Sequence, residues 1–120
     1  MLICFACWLS LESDLIEQTT ARIGIDETQA RMGIGLILKW TRQRVTTHEY
    51  TTVLRAIPLA STYVASTPDL TDPTLRARFR VMGLDERWLH QTYQAIYMFL
   101  EARGLMKALL IVRRTEPAAT

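Results

Sequence analysis

The stretch DETQARMGIGLILKWTRQR, residues 26–44, decides how the chain is read. Asp26 followed by Gln29 is a capping-box pattern, in which each side chain satisfies a free backbone N–H at a helix start. The spacing predicts a helix from there to about Arg44. Ala30, Ile34, Ile37 and Thr41 recur at helical spacing. Met32, Leu36, Leu38 and Trp40 fill the other sides, and between Met32 and Trp40 only Lys39 carries charge. A helix apolar on every side belongs at the centre of a bundle, because each face must be covered. Gly33 and Gly35 lower its propensity by about 1 kcal/mol each relative to alanine. Their expected use is the close approach of a crossing helix, which small residues permit.

The flanks read as helices too. Ser10 or Ser13 can cap a helix running to about Ile23, with Leu11, Leu15, Thr19 and Ile23 on one stripe. Gly24 suits the left-handed position after it. Thr46 and Glu49 form a second capping box, opening a helix with Tyr50, Val53, Leu54 and Ile57 inward. Pro58 ends it. Leu59–Ala65 reads as one short helical turn or two and Ser66–Pro73 as a loop. Asp72 then caps and Pro73 starts a helix with Leu75, Phe79 and Met82 on its apolar face, ended by Gly83. Asp85 caps a long helix to about Arg103, with Leu89, Tyr93, Ile96 and Leu100 in one stripe. A last helix spans Leu105–Val112, and Arg113–Thr120 reads as a frayed tail. Leu109–Val112 is the best competitor for a strand, and a helix end explains it equally well.

The segment Arg22–Glu27 aligns with Val81–Glu86 at an offset of 59. Extending that offset places Ala30, Ile34, Ile37 and Thr41 on Leu89, Tyr93, Ile96 and Leu100. The shared unit is a short helix, a Gly–apolar–Asp–Glu turn and a long apolar helix. Two units are too few for a solenoid. The expected architecture is all-α: one helical bundle of six to seven helices with two pseudo-repeated helix–turn–helix units. Residues 1–11 read as an apolar extension, 12–113 as the helical domain and 114–120 as a flexible tail.

The chain has 120 residues, 49% of them apolar and 22% charged, as expected of one globular domain. Its formal charge of +2 does not by itself imply nucleic acid or an anionic membrane. The charge is uneven: residues 1–38 carry a net −3, residues 39–103 a net +3 and residues 104–120 a net +2. Mean hydropathy is +0.08, and much of the excess sits in the opening MLICFACWLSL. That opening lacks a basic region before Arg22 and a suitable cleavage site, so it does not read as a signal peptide. It is also far short of the roughly twenty residues needed to span a bilayer. A cytoplasmic protein is therefore expected. Cys4 and Cys7 form a C-x-x-C pair with no preceding strand and no second pair. They read as reduced apolar thiols, and no metal or cofactor is expected.

Residues 13–112 resemble a bacterial family of unknown function, the VcgC/VcgE type, some of whose members are encoded on integron gene cassettes. The resemblance rests on Ile23-Gly-Ile-Asp-Glu27, Gln29-Ala30, the glycine-containing apolar helix, Thr46-Thr-His-Glu49 and Ala56-Ile-Pro58. Phe79-Arg-Val-Met-Gly-Leu-Asp85 and Phe99-Leu-Glu-Ala-Arg-Gly104-Leu also look like that family's C-terminal half. Family members carry a glycine- and alanine-rich middle, where this chain has the compact Ser61–Pro73. The resemblance implies an all-α bacterial protein and carries over no catalytic residue.

No phosphate loop, H-E-x-x-H or G-x-S-x-G motif is present. Asp26, Glu27, Asp85 and Glu86 fit helix caps better than acid–base catalysts. His48 and His90 have no nucleophile at readable spacing, so an enzyme is not expected. Arg76, Arg78 and Arg80 alternate by two, which spreads them through about 200° of a helix rather than into one phosphate-binding stripe. Lys39, Arg42 and Arg44 form a second basic cluster beside Trp40. Nucleic-acid binding through a DNA-associated helical protein is the third reading.

The first reading is an interaction module that self-associates or binds a protein partner, with Leu2, Phe5 and Trp8 as its interface. The second is a bundle that holds a small molecule in an apolar pocket between the two long helices, at Trp40, Tyr93 and Tyr97.

Overall fold

The computed structural model describes residues 15–117. Leu2, Cys4, Phe5, Cys7, Trp8, Leu11 and the two serine caps lie outside the described residues, so the expectations placed on them are not reached. Seven helices occur among the described residues, which contain no strand. They are α1 (15–23), α2 (Glu27–Arg42), α3 (Thr47–Ala56), α4 (Ala60–Ala65), α5 (Leu75–Val81), α6 (Trp88–Ala102) and α7 (Met106–Thr115).

The α2 helix is the hub. Every residue from Gly33 to Thr41 is buried, and α2 packs against α3, α4, α5, α6 and α7. Its start is the expected capping box: Asp26 Oδ1 accepts from Gln29 N at 2.8 Å, and Gln29 Oε1 accepts from Asp26 N at 3.1 Å. Gly33 lies under the Phe79 ring of α5. Gly35 lies against the end of α4, where an added Cβ would stand 2.8 Å from the Tyr63 carbonyl oxygen and collide with Thr67. Lys39 is only 9% exposed. Its stem packs in the core, while its Nζ reaches Asp69 Oδ1 of the α4–α5 loop at 2.6 Å.

The second capping box also forms, with Glu49 N donating to Thr46 Oγ1 and Thr46 N to Glu49 Oε1. Ile57, before Pro58, turns extended and ends α3. Leu59 then takes φ +63°, the left-handed region that side chains disfavour, and starts α4.

Three expected boundaries move. Thr74, not Asp72, caps α5: its Oγ1 accepts from Ala77 N at 3.1 Å, and the helix begins two residues after Pro73. Asp85 does not cap α6 directly. It accepts from Arg87 N at 2.9 Å and grips the Arg87 guanidinium, so a tight turn over residues 85–88 precedes α6. The last helix runs past Val112 to Thr115. Arg113 and Arg114 are therefore helical rather than frayed, and Thr115 is buried.

The repeated unit is visible as α1–α2 and α5–α6. Gly24 and Gly83 both take positive φ, +80° and +77°. All eight stripe residues from Ala30 to Thr41 and from Leu89 to Leu100 are buried. The units differ at the turn. Gly24 N closes a single bond to Thr20 O, whereas Gly83 and Leu84 close the paired bonds of a Schellman motif to Arg80 O and Phe79 O. Among the described residues, no helix is long and apolar enough to cross a membrane.

Candidate functional site

Trp40 and Tyr93 are brought together around the end of α7, whereas Tyr97 faces the cleft between α6 and α7. The end of α7 lies between α2 and α6 and presents Thr115. Trp40 Nε1 donates to Thr115 O at 2.9 Å. Thr41 Oγ1 and the Tyr93 hydroxyl each lie 3.3 Å from Thr115 Oγ1, which donates to Val112 O at 2.7 Å. Burial pushes the Tyr93 hydroxyl far above the usual phenol value, so it stays protonated. Trp40 and Tyr93 are thus satisfied core groups. Tyr97 is offset, its ring centroid 5.8 Å from that of Tyr93, and half-buried at the surface.

The basic residues near Trp40 are engaged inside the chain. Arg44 stacks on the indole with its guanidinium carbon 3.1 Å from the ring centroid, and that of Arg78 lies at 5.1 Å. Partial burial, then the Arg78 charge, hold the Arg44 guanidinium below its usual value. Arg78 is buried and donates to Asp72 O at 2.9 Å and to Gln43 Oε1 at 3.1 Å. Lys39 and Arg42 share Asp69, whose carboxyl Lys39 holds below the usual range. Arg80 faces Glu86 at 3.4 Å. His48 is exposed on the first turn of α3.

Two surface features adjoin α7. One is a groove of about 270 Å³ between α3 and the start of α7, lined by Thr52, Arg55, Ala56, Leu105, Met106 and Lys107. Met106 and Leu110, one turn apart, are 49% and 54% exposed. The other is a polar cleft of about 370 Å³ between α6 and α7. There Glu116 bridges two groups of α6. Its Oε1 accepts from the Tyr97 hydroxyl at 2.5 Å, and its Oε2 lies 2.7 Å from His90 Nδ1. Burial and the Glu116 carboxylate push the Tyr97 hydroxyl far above its usual value, so Tyr97 remains the donor.

Sequence reasoning missed this cleft because it assigned Glu116 to a frayed tail. A signal was present: His90, Gln94, Tyr97 and Glu101 repeat at steps of four, three and four, one stripe of a helix. A scan against protein-family models, and searches of curated proteins and of solved structures, find no match to this chain.

Proposed function

We propose that the protein is a helical interaction module that self-associates, the groove between α3 and α7 receiving residues 1–11 of a second copy. The observation that carries this reading is the apolar outer edge of α7. Met106 stands half-exposed in a groove it lines with Ala56 and Leu105, and Leu110, half-exposed, follows one helical turn on. Exposed apolar side chains grouped beside a groove favour a covering partner. The segment suits the groove chemically. Leu2, Phe5 and Trp8 supply apolar side chains, and Glu12 and Asp14 follow them. Arg55 and Lys107 line the groove that would face those carboxylates. Membership of the VcgC/VcgE type and a cytoplasmic setting belong to the same proposal, and neither assigns a chemistry that competes with it.

Light scattering tests the reading on the full chain. The full chain should run as a multiple of 13.8 kDa, and deletion of residues 1–11 should return it to a single-chain mass. Met106→Asp should lower the mass in the same way, by setting a charge in the groove. A single-chain mass before and after deletion would sink the reading.

A further inference from the structure

The α6–α7 cleft lies apart from the self-association groove and stands on its own evidence. The two helices form a hairpin closed at Gly104, where Gly104 N and Leu105 N bond to Glu101 O and Leu100 O. The buried stripe of α6 leaves a second stripe, His90, Gln94, Tyr97 and Glu101, facing the cleft. From α7 and the residue after it, Leu109, Arg113 and Glu116 answer at steps of four and three. The floor is already ordered, since Glu116 is fixed by Tyr97 and His90. Two full charges are left over. Among the described residues, no ion pair engages Arg113 or Glu101, although both line the cleft.

The geometry points to this cleft as a binding site for a small zwitterion of the amino-acid class, its carboxylate on Arg113 and its ammonium on Glu101. A simple anion would meet Arg113 but be repelled by Glu101 and Glu116. A simple cation would meet the carboxylates but be repelled by Arg113. A molecule carrying both charges satisfies each wall, and charge-assisted hydrogen bonds are the stronger kind. Leu109 and the Tyr97 ring offer its side chain an apolar surface. The volume of about 370 Å³ lies at the small end of ligand sites, which suits a single amino acid.

The test is an amide-resolved NMR titration of the full chain with leucine, serine and glutamine in turn. Two truncated probes accompany them: 4-methylpentanoate, which lacks the ammonium, and isopentylamine, which lacks the carboxylate. Leucine, whose side chain suits the Leu109 and Tyr97 surface, should give saturable shifts confined to α6 and α7. Each truncated probe should bind at least about tenfold more weakly than leucine, as should leucine to Arg113→Gln and to Glu101→Gln. Both residues are exposed, so these variants keep the fold, which the spectrum itself verifies. Arg114→Gln is the control, because Arg114 pairs with Glu49 outside the cleft. No saturable shift from leucine at about 10 mM, ten times a millimolar Kd, would overturn the inference. So would equal binding of either truncated probe, or unchanged binding to both cleft variants.

Discussion

Gly35 is the residue where backbone and packing meet most directly. A methyl group there would press on the carbonyl of Tyr63, which is backbone and cannot swing aside. Gly35→Ala should therefore lower the free energy of unfolding by about 1–3 kcal/mol despite its gain in helix propensity, read from urea midpoints. Gly33→Ala meets only ordinary contacts with Phe79 and Thr92 and should be far milder. That a crossing helix would come close at these glycines was readable from the sequence. That the contact is with the end of a six-residue helix was not, because Thr67 and Tyr63 lie about thirty positions away. Two tyrosines make a matched pair. The Tyr93 hydroxyl has a buried partner in Thr115, whereas the buried Tyr50 hydroxyl has none among the described residues. Tyr93→Phe should cost about 1 kcal/mol, while Tyr50→Phe should be neutral or stabilising. Thermal denaturation of both variants checks the contrast, and equal losses would refute it.

At the level of helices, caps were the legible part. Both capping boxes form where the residue types placed them. The start of α5 was misread because Asp72-Pro73 and Thr74 are two capping signals within three residues. The chain uses the second, and the carbonyl of Asp72 instead holds the Arg78 guanidinium. Thr74→Ala should then cost about 1 kcal/mol, while Asp72→Ala, whose carbonyl survives the change, should cost little. Chemical denaturation of the pair decides which residue caps. The start of α6 slipped for another reason: Arg87 competes for Asp85 and winds residues 85–88 into a turn. The end of α7 ran long because propensity undervalues a threonine whose hydroxyl is answered by α2 and α6. That one extension hid both Thr115 and the Glu116 floor of the cleft. The burial of Lys39 was equally hidden, since its partner Asp69 lies 30 residues on.

Across the whole molecule, pH sets two limits of opposite sign. Glu49, Asp69 and Asp85 have carboxyls held below their usual values, chiefly by the Thr46 backbone, Lys39 and Arg87 respectively. A depressed carboxylate contributes stability above its unfolded value and loses it as pH falls through the folded one. The melting temperature should hold near neutral pH and decline below about pH 4.5, and Glu49→Gln should flatten that decline. Tyr63, Tyr93 and Tyr97 are shifted the other way, by burial first in each case. Their contribution is complete below the unfolded value near 10 and is lost as pH rises beyond it. Tyrosinate absorbance from Tyr93 should therefore appear together with loss of helical circular dichroism. Its appearance in a fully helical protein would contradict the burial described. The same distance in sequence that hid the Trp40–Thr115 bond gives it an optical use. It ties residues 75 positions apart, so α7 reaches Trp40 only after a long loop has closed. With Trp8 and Trp88 replaced by phenylalanine, the lone indole would act as a clock for assembly. Its emission should change in the last phase of refolding, after the far-ultraviolet helical signal has largely returned.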